Sequence, residues 1–240
     1  IQAIYAILKE SNLKCNVYTS PHIQKINERF VFNNQELNDE KLADLLEEVE
    51  KINNNDPITV FEMLSACFFY KAAQYPDNIN LIESGLFHRF DATNILKSNL
   101  ASIVTSISKD HLDWLPKENQ TIEKIVFEKT SALLNSNIII AKKNKKETIE
   151  CIKKTIKNNS SNKLFFNEDF SYSIQENGFF YYEDKLGGLK LPLPNVLGQF
   201  QLENISTAIA TIRTLNLGIE DTKIENGIQK INNLARLQEI

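Results

Sequence analysis

The chain has 240 residues, 42% of them hydrophobic, with 27 Lys+Arg against 31 Asp+Glu and a formal net charge of −4. That length and apolar fraction suit one large or two small soluble domains with a buried core. The charge leaves no basic footprint for nucleic acid or an anionic membrane, and no apolar run reaches the ~18 residues a membrane span needs. Cys15, Cys67 and Cys151 lie far apart in apolar contexts without a CxxC pair. Buried thiols in a reducing, cytoplasmic setting are therefore favoured over a metal site or a disulfide framework. Ile1 opens directly into a helical pattern with no N-cap, and ARLQEI stops just after a helix; both ends read as cut.

Ile1, Ile4, Tyr5, Ile7 and Leu8 recur at helical spacing and predict a helix ending near Ser11-Asn12. Cys15 to Thr19 reads as a short strand that runs into Ser20-Pro21-His22. Asn38 reads as an N-cap, with Asp39 and Glu40 where the helix dipole favours carboxylates. Leu42, Leu45, Leu46, Val49 and Ile52 form that helix's apolar stripe. Residues 59–74 are apolar all round and predict a buried helix. Thr59 and Glu62 have capping-box spacing within it, which assigns Glu62 to structure rather than chemistry.

Strands at 79–82, 101–107 and 137–141 alternate with helices at about 121–134 and 146–157, the order of a parallel sheet with helices on both faces. After about Asn159 the texture changes. SYSIQENGFFYYED alternates around Glu176-Asn177-Gly178, a hairpin-turn signal, and with LGGLKLPLP it predicts a small antiparallel appendage over about 160–197. Helices follow at about 200–215 and 220–233. The expected class is α/β, with a mostly parallel central sheet, helices on both faces and a small antiparallel β appendage.

Ligands of an open parallel sheet bind beyond the carboxyl ends of its strands. Three such ends carry chemistry here: Ser20-Pro21-His22, Glu83 at the head of ESGLFHRFDATN, and Asp110-His111 after ASIVTSI. A carboxylate and an imidazole converging there could hold a hard divalent cation beside phosphates. Taken singly, Glu83 could instead cap a helix and His111 be a satisfied surface histidine; two such strand ends shift the balance towards a site. Lys129 reads as a solvated helix-face lysine, Gly198 and Asn204 as a turn glycine and an N-terminal helix polar residue. Arg236 could bind phosphate or sit in solvent. No GxxxxGK[ST] phosphate loop occurs. The residues by themselves give an α/β domain with a metal- and anion-binding edge.

The strings taken in order resemble one family. YTSPHIQKINERFVFNNQELNDEKL, ESGLFHRFDATN, VTSISKDHLDWL, FEKTSAL, GQFQLENISTAIA and ARLQ are similar, in sequence and spacing, to segments of folylpolyglutamate synthase/dihydrofolate synthase, in the Mur ligase superfamily. The corresponding family strings include E-x-GLGGRLDATN, ITSI-x-x-DH-x-x-x-L, EKAGI, G-x-HQ-x-x-NA-x-x-A and GRLQ. The resemblance implies that 1–240 is the central, P-loop NTPase-like ATP-binding domain. It also places a glycine-rich phosphate loop before Ile1 and a C-terminal glutamate ligase domain after Ile240, so residues 1–240 alone are expected not to turn over ATP.

The same resemblance implies roles. Glu83 and His111 would be magnesium (Mg2+) ligands, and Lys129 a carbamylated lysine acting with His111 in catalysis. Ser20, Pro21, His22, Arg89, Asp91, Ala92, Thr93 and Asn94 would shape the substrate side, and Asn204 and Arg236 would contact ATP. The implied reaction is folate-pathway amide ligation: ATP phosphorylates a carboxylate of dihydropteroate or a folyl glutamate, and the amine of L-glutamate attacks the acyl phosphate. A cytoplasmic monomer binding only small molecules, with neither nucleic acid nor membrane, goes with it. Phe87-His88 depart from the family's Gly-Gly, Phe200 from its His, and Ala235 from its Gly. A Mur-type cell-wall amino-acid ligase would share the metal edge, though SPH…NER and DATN resemble the folate branch more. A non-catalytic nucleotide-binding relic would suit Phe87-His88 and Phe200.

Overall fold

A computed structural model describes residues 1–134, 136–195 and 198–231, so Ala235 and Arg236 lie outside the described residues. Helix α1 (Gln2–Glu10) leads to β1 (Cys15–Tyr18), the short strands β2 (Phe30–Phe32) and β3 (Gln35–Glu36), and helices α2 (Asp39–Asn53) and α3 (Val60–Ala72). Then come β4 (Ile79–Ile82), β5 (Ala101–Val104), α4 (Ile122–Thr130), β6 (Ile138–Ala141), α5 (Lys146–Thr155) and β7 (Asn162–Phe165). An antiparallel meander, β8 (Phe170–Ile174), β9 (Phe179–Asp184) and β10 (Gly187–Pro192), precedes α6 (Gln199–Leu215) and α7 (Asp221–Gln229).

The parallel ladders fall in two sheets rather than the single sheet expected. One has the order β3-β2-β1-β4, with β1 and β4 parallel, and the other the order β5-β6-β7, parallel throughout. Helices cover both faces because side chains alternate along each strand. Ile138 and Ile140 of β6 join the core under α1, α6 and α7. Ile139 and Ala141 of the same strand point the other way, into the core under α4 and α5. Tyr18, at the end of β1, enters a third cluster with Phe30, Phe32, Leu45 and Phe68 beneath α2 and α3.

Both N-caps read from the sequence form. Asn38 Oδ1 accepts the Lys41 N–H at 2.9 Å. Thr59 and Glu62 exchange the two capping-box bonds, 2.7 and 3.2 Å long. Helix α3, however, is not buried all round: Val60 is 74% exposed, since the helix packs on β2 and α2 along one side only. The antiparallel subregion is also shorter than expected, because β7 extends the parallel sheet beside β6, leaving 170–192 to the meander.

The hairpin β2–β3 escapes the sequence reading. Its two-residue loop, Asn33-Asn34, takes positive φ at both positions (52° and 64°), the geometry that matches strand twist. The buried Asn16 of β1 secures that loop. Its Oδ1 accepts from the Asn33 N–H and from Asn78 Nδ2, and its Nδ2 donates to Asn80 Oδ1 on β4.

Candidate functional site

The site grows from two parallel neighbours. Strands β1 and β4 pair through Tyr18 and Ile82, so their chains leave the sheet side by side at the carboxyl edge. Ladder bonding continues one residue further, from the Glu83 N–H to the Tyr18 carbonyl at 2.9 Å. There the Ser20 N–H donates to Glu83 Oε2 at 3.0 Å. The Ser20-Pro21 peptide is cis. His22 Nδ1 accepts from Arg29 Nε at 2.9 Å, and Glu28 gathers the N–H groups of Ile23, Gln24 and Lys25 on its carboxylate.

After Glu83 the loop 83–94 is tied internally by Asp91. Its Oδ2 accepts the Gly85 N–H, and its Oδ1 accepts both the N–H and the hydroxyl of Thr93. A side chain at Gly85 would meet the Phe61 ring at 2.8 Å and Asp91 Oδ2 at 3.1 Å, so only glycine fits that approach. Ser84 Oγ lies 3.1 Å from His88 Nδ1 and 3.4 Å from Thr93 Oγ1. Burial pushes the His88 imidazole below its ordinary pKa. Asn94 closes the loop, its N–H donating to the Asp91 carbonyl and its Nδ2 to the Arg89 carbonyl. Ala92 is half-buried beside them.

Helix α4 docks on this loop. The N–H groups of His88 and Arg89 both donate to the Glu128 carbonyl, at 3.2 and 3.1 Å. Arg89 also forks its guanidinium onto the Glu128 carboxylate, Nε to Oε2 at 2.7 Å and Nη2 to Oε1 at 2.8 Å. Lys124 Nζ adds a contact at 2.8 Å. These cations, Arg89 foremost, hold the carboxyl of Glu128 below the usual range. Next to it, Lys129 Nζ donates to the Leu86 carbonyl at 3.1 Å and stands 5.5 Å from the Phe87 ring centre.

The third strand end arrives through Phe87, whose ring meets His111 edge-on with centroids 6.3 Å apart. His111 has a backbone φ of 54°. Of the nine non-glycine residues with positive φ among the described residues, the other eight are asparagines, which tolerate that conformation; among them His111 is the one bulky residue held there. Beside it, Asp110 Oδ1 is buried without a hydrogen-bond partner.

Ser20, Glu83, the 83–94 loop, Lys129 and His111 thus form one contiguous region. Asn204 is not hydrogen-bonded to it: one turn into α6, its Nδ2 donates to Gln201 Oε1 at 3.0 Å. The Nε2 of the buried Gln201 has no partner, and neighbouring Glu203 takes Lys142 and Lys143 at 3.6 and 3.3 Å. Glu128, Ser84 and Gly85 are absent from the sequence-derived site. Only the adjacency of Glu128 to Lys129 hinted at it.

Among the described residues no three His, Cys, Asp or Glu side chains cluster as a metal cage. Glu83, directly after β4, supplies the oxygen donor a small hard cation prefers, and the His111 imidazole lies seven residues beyond β5; such a cation keeps most of its waters and leans on substrate phosphates.

No family model matches the chain. It is 30% identical over 242 residues to the dihydrofolate synthase/folylpolyglutamate synthase of Haemophilus influenzae, covering 98% of this chain and 51% of the relative. The protein of the same description from Escherichia coli is 30% identical over 230 residues, 95% of this chain and 51% of the relative. Among solved structures, E. coli FolC in complex with DHPP and ADP superposes with a TM-score of 0.84 at 30% identity, over 100% of this chain and 55% of that one. A bifunctional folylpolyglutamate synthase/dihydrofolate synthase from Yersinia pestis, complexed with AMPPNP and Mn ion, gives 0.85 at 26% identity, over 99% and 55%. The chain spans about half the length of the curated relatives it matches. Over that half the chain is similar in sequence and fold to dihydrofolate synthase/folylpolyglutamate synthases.

Proposed function

We propose that the protein serves ATP-dependent ligation of L-glutamate to dihydropteroate or to a folyl glutamate, as the central ATP-binding domain of such a ligase, in the cytoplasm. The observation that carries this reading is the joining of the β1 and β4 ends through Ser20 and Glu83, with His111 reached through Phe87, in a chain homologous to these synthases along nearly its whole length. The Y. pestis relative binds AMPPNP and Mn, and the E. coli one ADP and DHPP, which supports ATP and a divalent cation as ligands here.

In this reading Glu83 and His111 hold magnesium, which neutralises charge on the transferring phosphoryl group. Asn204, and Arg236 outside the described residues, contact ATP. Ser20, Pro21 and His22, with Arg89, Asp91, Ala92, Thr93 and Asn94, shape the acceptor side of the cleft. Most of these act through fixed geometry: the loop bonds of Asp91 and Thr93 are satisfied within the loop, so its backbone is pre-organised before a ligand arrives. Lys129, as a carbamate, would present a negative oxygen pair towards the cation.

The test is phosphate release from ATP by the full-length gene product with glutamate, first with dihydropteroate and then with tetrahydrofolate as acceptor. Release that requires both acceptor and glutamate is expected. Release independent of either, or none with both acceptors, rejects the ligase reading and favours a nucleotide-binding protein without this chemistry.

A further inference from the structure

We propose that Glu128 is a positioning residue: it clamps the 83–94 loop onto α4 and thereby sets where Lys129 lies. The inference deepens the ligase reading and rests on it for its consequence in turnover.

Four hydrogen bonds converge on this one residue from the loop. Its carbonyl takes the His88 and Arg89 N–H groups, and its carboxylate takes Arg89 Nε and Nη2 in a planar fork. A bidentate guanidinium–carboxylate pair fixes direction as well as distance, because both groups are planar and both bonds must stay parallel. The carboxylate is largely shielded from solvent, with 8% of its side chain exposed against 32% for Arg89. Water competes poorly for it there, and removing the Glu128 side chain takes the carboxylate partner from both Arg89 and Lys124.

The clamp has a direct neighbour in the site. Lys129 follows Glu128, and its Nζ reaches the Leu86 carbonyl on the same loop, two residues before His88. Loop and helix are thus fastened at Leu86, His88 and Arg89, all through Glu128-Lys129. If the fork opens, the Leu86 carbonyl and the Lys129 amine lose their common reference. Phe87, which carries the contact to His111, lies inside the fastened stretch. Arg89 is therefore occupied at Nε and Nη2 in holding the loop, whatever Nη1 meets.

The experiment compares the full-length wild type with Glu128→Gln and Glu128→Ala by hydrogen exchange of the 84–94 peptide and by steady-state turnover. Exchange in 84–94 is expected to rise about tenfold or more in Glu128→Ala, with smaller changes elsewhere. Turnover should fall about ten- to a hundredfold, with the KM for ATP within about twofold, since misplacement by an ångström has that scale of effect. Glu128→Gln keeps one acceptor for Arg89 and should fall between wild type and alanine on both readouts. Unchanged exchange in 84–94 overturns the clamp. So does a turnover loss that merely tracks the folded fraction from a thermal melt. An inactive wild type whose loop exchange still rises in Glu128→Ala supports the clamp and sinks the ligase reading instead.

Discussion

The Ser20 N–H donates to the Glu83 carboxylate at 3.0 Å, joining two loops that are 63 residues apart in sequence. The bond exists because β1 and β4 are parallel neighbours in register, so their carboxyl ends emerge together. One Glu83 oxygen is used in fastening the loop of Ser20, Pro21 and His22, and the other makes no hydrogen bond to this loop.

That division separates structure from charge at Glu83. In Glu83→Gln the amide oxygen can still accept the Ser20 N–H, while the negative charge is gone. We expect the melting temperature to stay close to wild type, as for substitutions that keep their bonds. Magnesium-dependent phosphate release should fall about a hundredfold or more, the scale seen when one electrostatic group at a reacting phosphate or oxyanion is removed. Wild-type turnover in Glu83→Gln removes Glu83 from the metal assignment.

His88 makes the stability of the loop depend on pH. Its folded pKa lies below the ordinary imidazole value because burial disfavours the charged ring. A group with a depressed folded pKa contributes stability that is complete above its unfolded value, about 6.5 for histidine. That contribution is lost as pH falls from there towards the folded value, because the unfolded chain binds the proton first. Melting temperature should therefore decline as pH falls below about 6.5, and His88→Gln should flatten part of that decline. Equal slopes in both proteins show that His88 is not the group responsible.

How much of this was legible depends on the range of the interactions involved. The caps at Asn38 and Thr59 are local, each closing on a backbone group three residues away, and their residue types state them outright. The chemistry-bearing ends of β1, β4 and β5 follow from apolar runs stopping at polar residues. The Arg89–Glu128 fork spans 39 positions, and no periodicity links a loop arginine to one helix carboxylate among many. The β2–β3 turn was missed because Asn33-Asn34 lacks the glycine usually sought in a hairpin, although asparagine also adopts positive φ. The division into two sheets was equally hidden, since alternation of strands and helices predicts layers but not which strands pair.

Gly227 shows why a glycine can sit inside a helix against its propensity. A Cβ there would lie 2.6 Å from Ile7 Cα and 3.0 Å from Ile7 N, so α7 packs backbone to backbone on α1. Alanine would gain helix propensity of about 1 kcal/mol, yet overpacking of a close contact costs about 1–3 kcal/mol. The contact term should win, because the atoms met are main chain and cannot turn aside. Gly227→Ala is expected to lower the unfolding free energy by about 1–2 kcal/mol in a denaturant titration. A neutral or stabilising result would mean that the helices separate without loss.

Lys129 offers the most direct chemical test. Its Nζ has a carbonyl and an aromatic ring as neighbours, and among the described residues it forms no salt bridge with a carboxylate. An ammonium placed beside magnesium would be repelled by it in a half-buried setting. A neutral amine there can instead attack carbon dioxide: the new N–C bond forms, one proton leaves, and the side chain becomes an anion able to face the cation. Lys129→Ala in the full-length protein should lose about a hundredfold in turnover, the scale for removing one electrostatic group at such a centre. A short carboxylic acid diffusing into the vacated space should restore part of that activity, because it returns a negative oxygen pair without the tether. Lys129→Arg keeps a cation but cannot be carbamylated, and should stay as impaired as alanine without rescue. Wild-type turnover in Lys129→Ala would show that the side chain is dispensable, and wild-type turnover in Lys129→Arg that it acts as a cation and not as a carbamate.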